Sequence, residues 1–475
     1  MRSPNREFSS FRDPSGHLFW DGGKILRWVG ASYAETFRRA EESGLLAKAI
    51  EHGLLLAYTK RDAAEFVAPP GSSPAAAILE PRQLDLITYP YEWSFGQLRD
   101  AALLTLDLHA MALAHGMVLK DASAFNVQFV DARPSFIDHL SFDAAEGHAA
   151  WPAYGQFCRH FLAPLLLMSK VDLSLGRLSE LHLDGIPLDL ASKLLPKSTQ
   201  LSPAIQMHVH LHARMSQNLS GYHKRYDKGR KSLGIDQLKA IATSLRGLIE
   251  KLTPIDQKTE WGDYYSDTNY SASAFEAKKA LIRDFIGRVR PQTLLDLGGN
   301  DGSMSRAVAD LAKRVICADI DPRAVDHNYR QLRTGGAQNI MPLLADVTNP
   351  APAIGFANAE RPALFARIKP DQIMALALIH HLAITNNLPL GYIARFLADL
   401  SPSLLIEFVP KPDSQVQRLL ANRDDIFPDY TEAGFTAAFA EVFDIVATER
   451  IPGTERTLYL MQRHAGVEAA HGRRS

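Results

Sequence analysis

The chain has 475 residues, 46% of them hydrophobic and 22% charged, with a formal net charge of -1 at pH 7. That balance fits a globular chain long enough for two or three domains, and it excludes a disordered polymer or a surface that grips polyanions as a whole, so nucleic acid is not the expected partner. MRSPNREFSSFRDPSG has no apolar signal core and the longest clean apolar run, FLAPLLLM at 161–168, is too short for a bilayer, so a cytoplasmic protein without a membrane span is the expectation.

In chain order, DPSGHLFWDGGKILRWV (13–29) reads as two strands about a Gly-Gly turn, and APPGSSPAAA (68–77) as a loop. LRDAALLTLDLHAMALAHG (98–116) has helical apolar spacing, and MVLKDASAFNVQFVDARPSFIDHLSF (117–142) alternates like a short hairpin region. Residues 151–218 read as mostly helical. Within them MHVHLHA places His208 and His212 at i, i+4, the spacing of a two-histidine zinc pair, but no acidic or cysteine third ligand is near, so no metal is expected. The only cysteines, Cys158 and Cys317, fall in separate predicted domains and build neither a disulfide framework nor a zinc site. Lys224, Arg225, Lys228, Arg230 and Lys231 make a basic, glycine-interrupted linker, and IDQLKAIATSLRGLIEKL (235–252) a helix expected to dock that linker onto the second domain.

The most informative stretch is TLLDLGGNDGSMS (293–305): a strand ending in acid, then Gly298, Gly299 and Gly302, then a helix. Glycines there suit positive φ or close approach of a ligand to the main chain. Asn300 stands where a dinucleotide fingerprint needs its middle glycine, so the pattern kept is D-x-G-x-x-x-G. Further strands follow in RVICADID, NIMPLLADV, DQIMALALIHHL and LLIEFVP, and VFDIVATERIPGTERTLYLMQ reads as an antiparallel hairpin.

This succession resembles the class I S-adenosylmethionine-dependent methyltransferases over about residues 255–463. The resemblance implies a seven-stranded Rossmann-like α/β sheet with S-adenosylmethionine held by Asp296, Gly298, Gly299, Asn300 and Gly302. Asp319, with Ile320 beside it, would take the ribose hydroxyls, and Asp346 with the Val347 amide the adenine. WGDYYSDTNYSASAFEAKKALIRDFI would form a lid in which Tyr265, Tyr270 or Lys278 meets the cofactor carboxylate. His380 or His381, at the fourth strand end, would act as base, oriented by Glu407. No N-P-P-Y-like tetrapeptide ends the fourth strand and no cysteine follows the fourth or fifth, which points away from base methylation towards an oxygen, or a nitrogen, of a small molecule or glycan.

In the first half, Asp121, Asn126 and Asp138 resemble the H-x-D-x-x-x-x-N and DFG elements of kinases, which implies an α+β domain whose ligand, were it active, is Mg-ATP. The two strands at 13–29 would then be a reduced N-terminal lobe, with Lys24 or Arg27 offered to phosphates and Glu41 or Glu42 as partner. VLKDASAFN replaces HRD and DHL replaces DFG, departures that weigh against turnover. The whole arrangement is also similar to bacterial methyltransferases, including a rhizobial host-specific nodulation type. The expected organisation is an accessory, kinase-like domain at 1–220, linker and docking helix at 221–254, methyltransferase domain at 255–463 and a disordered tail at 464–475. A bifunctional kinase-methyltransferase modifying a saccharide end, and a non-catalytic metabolite sensor, are the competing readings.

Overall fold

The computed structural model describes residues 5–68, 74–148, 150–219, 233–256, 271–421 and 423–466. Tyr265, Tyr270, the basic cluster at 224–231 and residues 467–475 lie outside the described residues. The chain divides into two units: residues 1–257 with 353–362, and residues 258–352 with 363–475.

The first unit opens with β1 (Asn5–Arg6), β2 (Gly16–Asp21), β3 (Lys24–Gly30), β4 (Tyr58–Arg61) and β5 (Ala75–Pro81), paired antiparallel in the order β1-β2-β3-β5-β4. The two strands expected at 13–29 are thus part of five, and β5 already begins inside the stretch read as a loop. Alternation along β3 puts Leu26 and Trp28 into a small cluster with Phe19, Phe66 and Ile78, and turns Arg27 and Val29 to the opposite face.

Helix Phe95–Ala114 starts at a capping box: Ser94 Oγ accepts from the Gln97 amide at 3.3 Å, and Gln97 Oε1 accepts from the Ser94 amide at 2.9 Å. Beyond it come β6 (Met117–Leu119), β7 (Val127–Val130), β8 (Arg133–Phe136) and β9 (Phe142–Ala144), with β7–β8 a hairpin and β6 paired to β9. Helix Ile235–Glu250 buries Leu238, Leu245 and Ile249 in this unit's own core, and Arg246 pairs with Asp107 of helix Phe95–Ala114. The 235–252 segment, expected to dock on the second domain, therefore completes the first.

The second unit is one seven-stranded sheet made of β10 (Thr293–Leu297), β11 (Arg314–Asp319), β12 (Ile340–Leu344), β13 (Gln372–Ala375), β14 (Ser403–Phe408), β15 (Phe443–Arg450) and β16 (Thr457–Arg463). Its order is β12-β11-β10-β13-β14-β16-β15, parallel through β14 and antiparallel at β16 and β15. The parallel strands are almost wholly buried, as strands covered by helices on both faces must be. β10 has β11 on one side and β13 on the other, so the strand order reverses there, and ligands of open α/β sheets bind beyond the carboxyl ends of strands at such a point. β13 is shorter than expected: it stops at Ala375, and His380 and His381 sit five and six residues further on, at the entry to a π-helical turn, His381–Thr385.

Candidate functional site

The turn after β10 is closed by its own backbone. The amides of Gly298 and Gly299 donate to the Ala318 carbonyl at 2.9 and 3.1 Å, and the Gly302 amide to the Gly299 carbonyl at 2.9 Å. Gly298, Asn300 and Gly302 have φ of 74°, 48° and 75°. A Cβ on Gly299 would lie 2.5 Å from Cys317 Sγ, and one on Gly302 2.4 Å from the Asn328 amide group. Those two glycines are therefore demanded by protein packing as well as by the turn, a reason the sequence reading did not contain.

The turn leaves a cavity of about 320 Å³, at the lower end of the roughly 300–1,000 Å³ usual for small-molecule sites. Asp296, Gly298, Gly299, Asn300, Asp319, Ile320, Asp346, Val347, Lys278 and His381, all named from the sequence, line it. Gly302, His380 and Glu407 do not: Gly302 caps the helix Ser303–Val308, and the other two are fully buried behind the wall.

Asp319, the last residue of β11, accepts the Asn300 amide on Oδ2 and the Asp321 amide on Oδ1, both at 2.8 Å. A carboxylate offers about four lone-pair sites, so capacity remains for two ligand hydroxyls. Burial lifts its pKa to about 6 against the pull of the Asp321, Asn300 and Ile320 amides. Asp321 is used up as a helix cap, accepting from the amides of Arg323 and Ala324, which explains why the nearer acid of the pair faces the cavity. Asp346 accepts both the amide and the hydroxyl of Thr348 on Oδ1. Ile320 is 51% exposed, an apolar side chain left on the cavity wall.

Asp296 is 1% exposed; burial raises its pKa to about 7, opposed by a 2.6 Å hydrogen bond from Ser305 Oγ. Lys278, on the helix Ala272–Val289, is equally sequestered and places Nζ 2.6 Å from Glu407 Oε2. Burial depresses its pKa while Glu407 holds it up. Glu407 Oε1 meets Arg456 Nη1 at 3.3 Å, and Arg456 Nε meets Asp413 Oδ2 at 2.7 Å. Glu407 therefore pairs with Lys278 and Arg456, and Arg456 and Asp413 extend a buried ion-pair chain behind the cavity wall that the sequence left unmarked. Both ring nitrogens of His380 are buried without a hydrogen-bond partner. His381 faces the cavity, its pKa lowered to about 4 by burial and by Arg456.

In the first unit Asp121, Asn126 and Asp138 line one cavity together with Arg27. Lys24 instead pairs with Glu80, Glu41 with Lys60 and Glu42 with Arg38, so the expected partnership of Glu41 or Glu42 with a phosphate-binding cation on β3 does not form. His208 is held by Tyr154 Oη at 2.7 Å and Ser244 Oγ at 2.9 Å within the π-helical turn Gln206–Leu211, where a plain helix was expected. Among the described residues no group of three or more His, Cys, Asp or Glu side chains is arranged to hold a metal ion, and no helix is long and apolar enough to cross a membrane.

No family model matches the chain. Nodulation protein NoeA of Rhizobium meliloti (strain 1021) is 36% identical to it over 465 residues, covering 97% of this chain and 96% of that protein. The chain belongs to the NoeA family of nodulation proteins. This NoeA relative matches both units. Solved structures similar to the chain include the N-methyltransferase NodS of Bradyrhizobium japonicum WM9, at 12% identity over 41% of this chain and 99% of that one, with a TM-score of 0.31. Magnesium protoporphyrin IX methyltransferase of Synechocystis PCC 6803 with bound SAH is 16% identical over 43% of this chain and 92% of that one, TM-score 0.31. WbdD is 16% identical over 46% of this chain and 47% of that one, TM-score 0.30.

Proposed function

We propose that the second unit is an S-adenosylmethionine-dependent methyltransferase acting on an oxygen or nitrogen of a small molecule or glycan. The observation that carries this reading is the convergence, in one cavity at the reversal point of the sheet, of a glycine turn and two strand-end carboxylates, Asp319 and Asp346. Asp319 has lone pairs spare for a pair of vicinal hydroxyls, Asp346 has an oxygen to accept from an amino group, and Ile320 gives a flat ring an apolar face. Asp296, protonated by preference in the ligand-free fold, is drawn to its ionised form by a cationic sulfonium beside it, and Lys278 supplies a cation close by. When bound, S-adenosylmethionine supplies a methyl group already activated by positive charge, so alignment of the nucleophile is the protein's main task.

His381 supports that alignment. With its pKa near 4 the imidazole is neutral at physiological pH and accepts a hydrogen bond from an acceptor O–H or N–H. So weakly basic a ring orients and polarises better than it removes a proton outright, which suits an acceptor whose proton leaves as the methyl arrives. His380, without access to the cavity, is withdrawn from the role of base. The test is isothermal titration of the full-length protein with S-adenosylmethionine beside Asp319→Ala: micromolar binding lost in the variant is expected. A folded wild-type protein that binds neither the cofactor nor S-adenosylhomocysteine sinks the reading.

A further inference from the structure

Between Leu188 and Met215 the first unit carries a face on which apolar side chains stand in the open. The cause is visible along the chain. Ile205, Val209 and Ala213 recur every fourth residue and are buried in the unit's core, while Met207, Leu211 and Met215 recur with the same step on the other side of the same helical stretch and are exposed. A surface helix ordinarily keeps its outer side polar; this one is apolar on both. Leu194, the last residue of the helix Leu188–Leu194, and Leu201, the last of the 3₁₀ turn Lys197–Leu201, are exposed as well. His210 ties both elements to the stretch: its Nδ1 lies 2.7 Å from Ser192 Oγ and its Nε2 2.9 Å from Thr199 Oγ1. Leu194 and Leu201, each two residues past an anchored side chain, are thus held close to the Met207, Leu211 and Met215 stripe.

The charges around this face are of one sign. From 190 to 226 the sequence has no aspartate or glutamate, although the chain holds 53 of them. Lys193, Lys197 and Arg214 are exposed among the apolar groups. Lys193 leans on Asp189 at 3.6 Å, and Lys197 and Arg214 have no carboxylate partner among the described residues.

Shape and charge together decide what covers such a face. Leu201 is 86% exposed, so it projects from the surface instead of lining a groove of the kind that takes a peptide helix. A second copy would bring like charges together. Nucleic acid calls for stacking rings, and the five apolar groups are leucine and methionine. Projecting leucines and methionines with cations among them suit the boundary between headgroups and acyl chains of an anionic bilayer, where the apolar groups sink and lysine and arginine reach back to lipid phosphates. We propose that this face docks the protein reversibly onto an anionic lipid bilayer, with Leu194, Leu201, Met207, Leu211 and Met215 as the inserted groups and Lys197 and Arg214 on the phosphates. The surface is independent of the methyl-transfer reading.

The test sediments full-length protein with vesicles of equal parts phosphatidylglycerol and phosphatidylcholine, beside vesicles of phosphatidylcholine alone, for wild type, Leu201→Gln with Leu211→Gln, and Lys197→Gln with Arg214→Gln. All four side chains are exposed, so circular dichroism and thermal unfolding should be unchanged. Expected are cosedimentation with the anionic vesicles only, weakening as NaCl is raised, and partitioning at least about tenfold weaker in each double variant. No cosedimentation of wild type, equal binding to both vesicles, or binding indifferent to either double variant overturns the proposal; indifference to the leucine pair would leave the basic segment at 224–231 sufficient alone. A wild type that sedimentation velocity finds dimeric, and that the leucine pair makes monomeric, gives the face to a second copy and overturns the proposal as well.

Discussion

Two buried carboxylates set the pH behaviour of the candidate methyl-transfer site. Burial raises Asp319 to about 6, and its hydroxyl-accepting form is the anion, so S-adenosylhomocysteine affinity should fall as pH drops through about 6. Asp319→Asn should weaken binding by about 10- to 100-fold, the worth of charge-assisted hydrogen bonds, and flatten that pH dependence; calorimetric titration between pH 5 and 8 checks both. Asp296 works the other way for the ligand-free fold. Its native pKa, about 7, lies above the ordinary 3.8, so the native state favours the protonated acid. The resulting stabilisation is complete below about pH 4 and lost as pH rises through about 7. Asp296→Asn should therefore raise the Tm of ligand-free protein at pH 8, by at most about 4 kcal/mol of stability, and change it little at pH 4.5. An equal shift at both pH values would mean that ionisation is not the cause.

At the scale of elements, the glycine turn makes a paired prediction. Gly302→Ala puts a methyl group into the Asn328 amide at positive φ and should cost about 1–3 kcal/mol in urea unfolding. Gly287→Ala, in the last turn of the helix Ala272–Val289 where a Cβ meets nothing, should stabilise by up to about 0.5–1 kcal/mol. Elements of the second unit were legible because each signal was local: a β-branched or leucine-rich run, an acid at the strand end, glycine or proline to start the next helix. Asp319 and Asp346 reach the cavity because they sit at or just past strand ends, where chain direction alone places them. The Lys278–Glu407–Arg456–Asp413 chain was not legible, since its members come from four separate elements and only packing brings them together. For the same reason two strands at 13–29 read as a pair, while the five-stranded sheet depends on partners up to about fifty residues away whose pairing leaves no mark in local periodicity. The helix at 235–252 showed its apolar face but not which unit that face would meet.

At the scale of the molecule, the first unit buries its own core and the second is built around one continuous sheet, so calorimetry should resolve two unfolding transitions. S-adenosylhomocysteine at about a hundred times its Kd should stabilise one of them by about 2.7 kcal/mol and leave the other in place. A single transition that shifts as a whole would show that the units unfold together. The excursion of residues 353–362 into the first unit bears on a different process, the order in which the chain is made. Arg12 emerges early and its partner Glu360 very late, so the first unit stays incomplete on the ribosome while about a hundred further residues are added, some 5–20 seconds of synthesis. Domain-by-domain folding from the amino terminus is thereby suspended: the second unit's first strands are already translated before the first unit can close over its cavity.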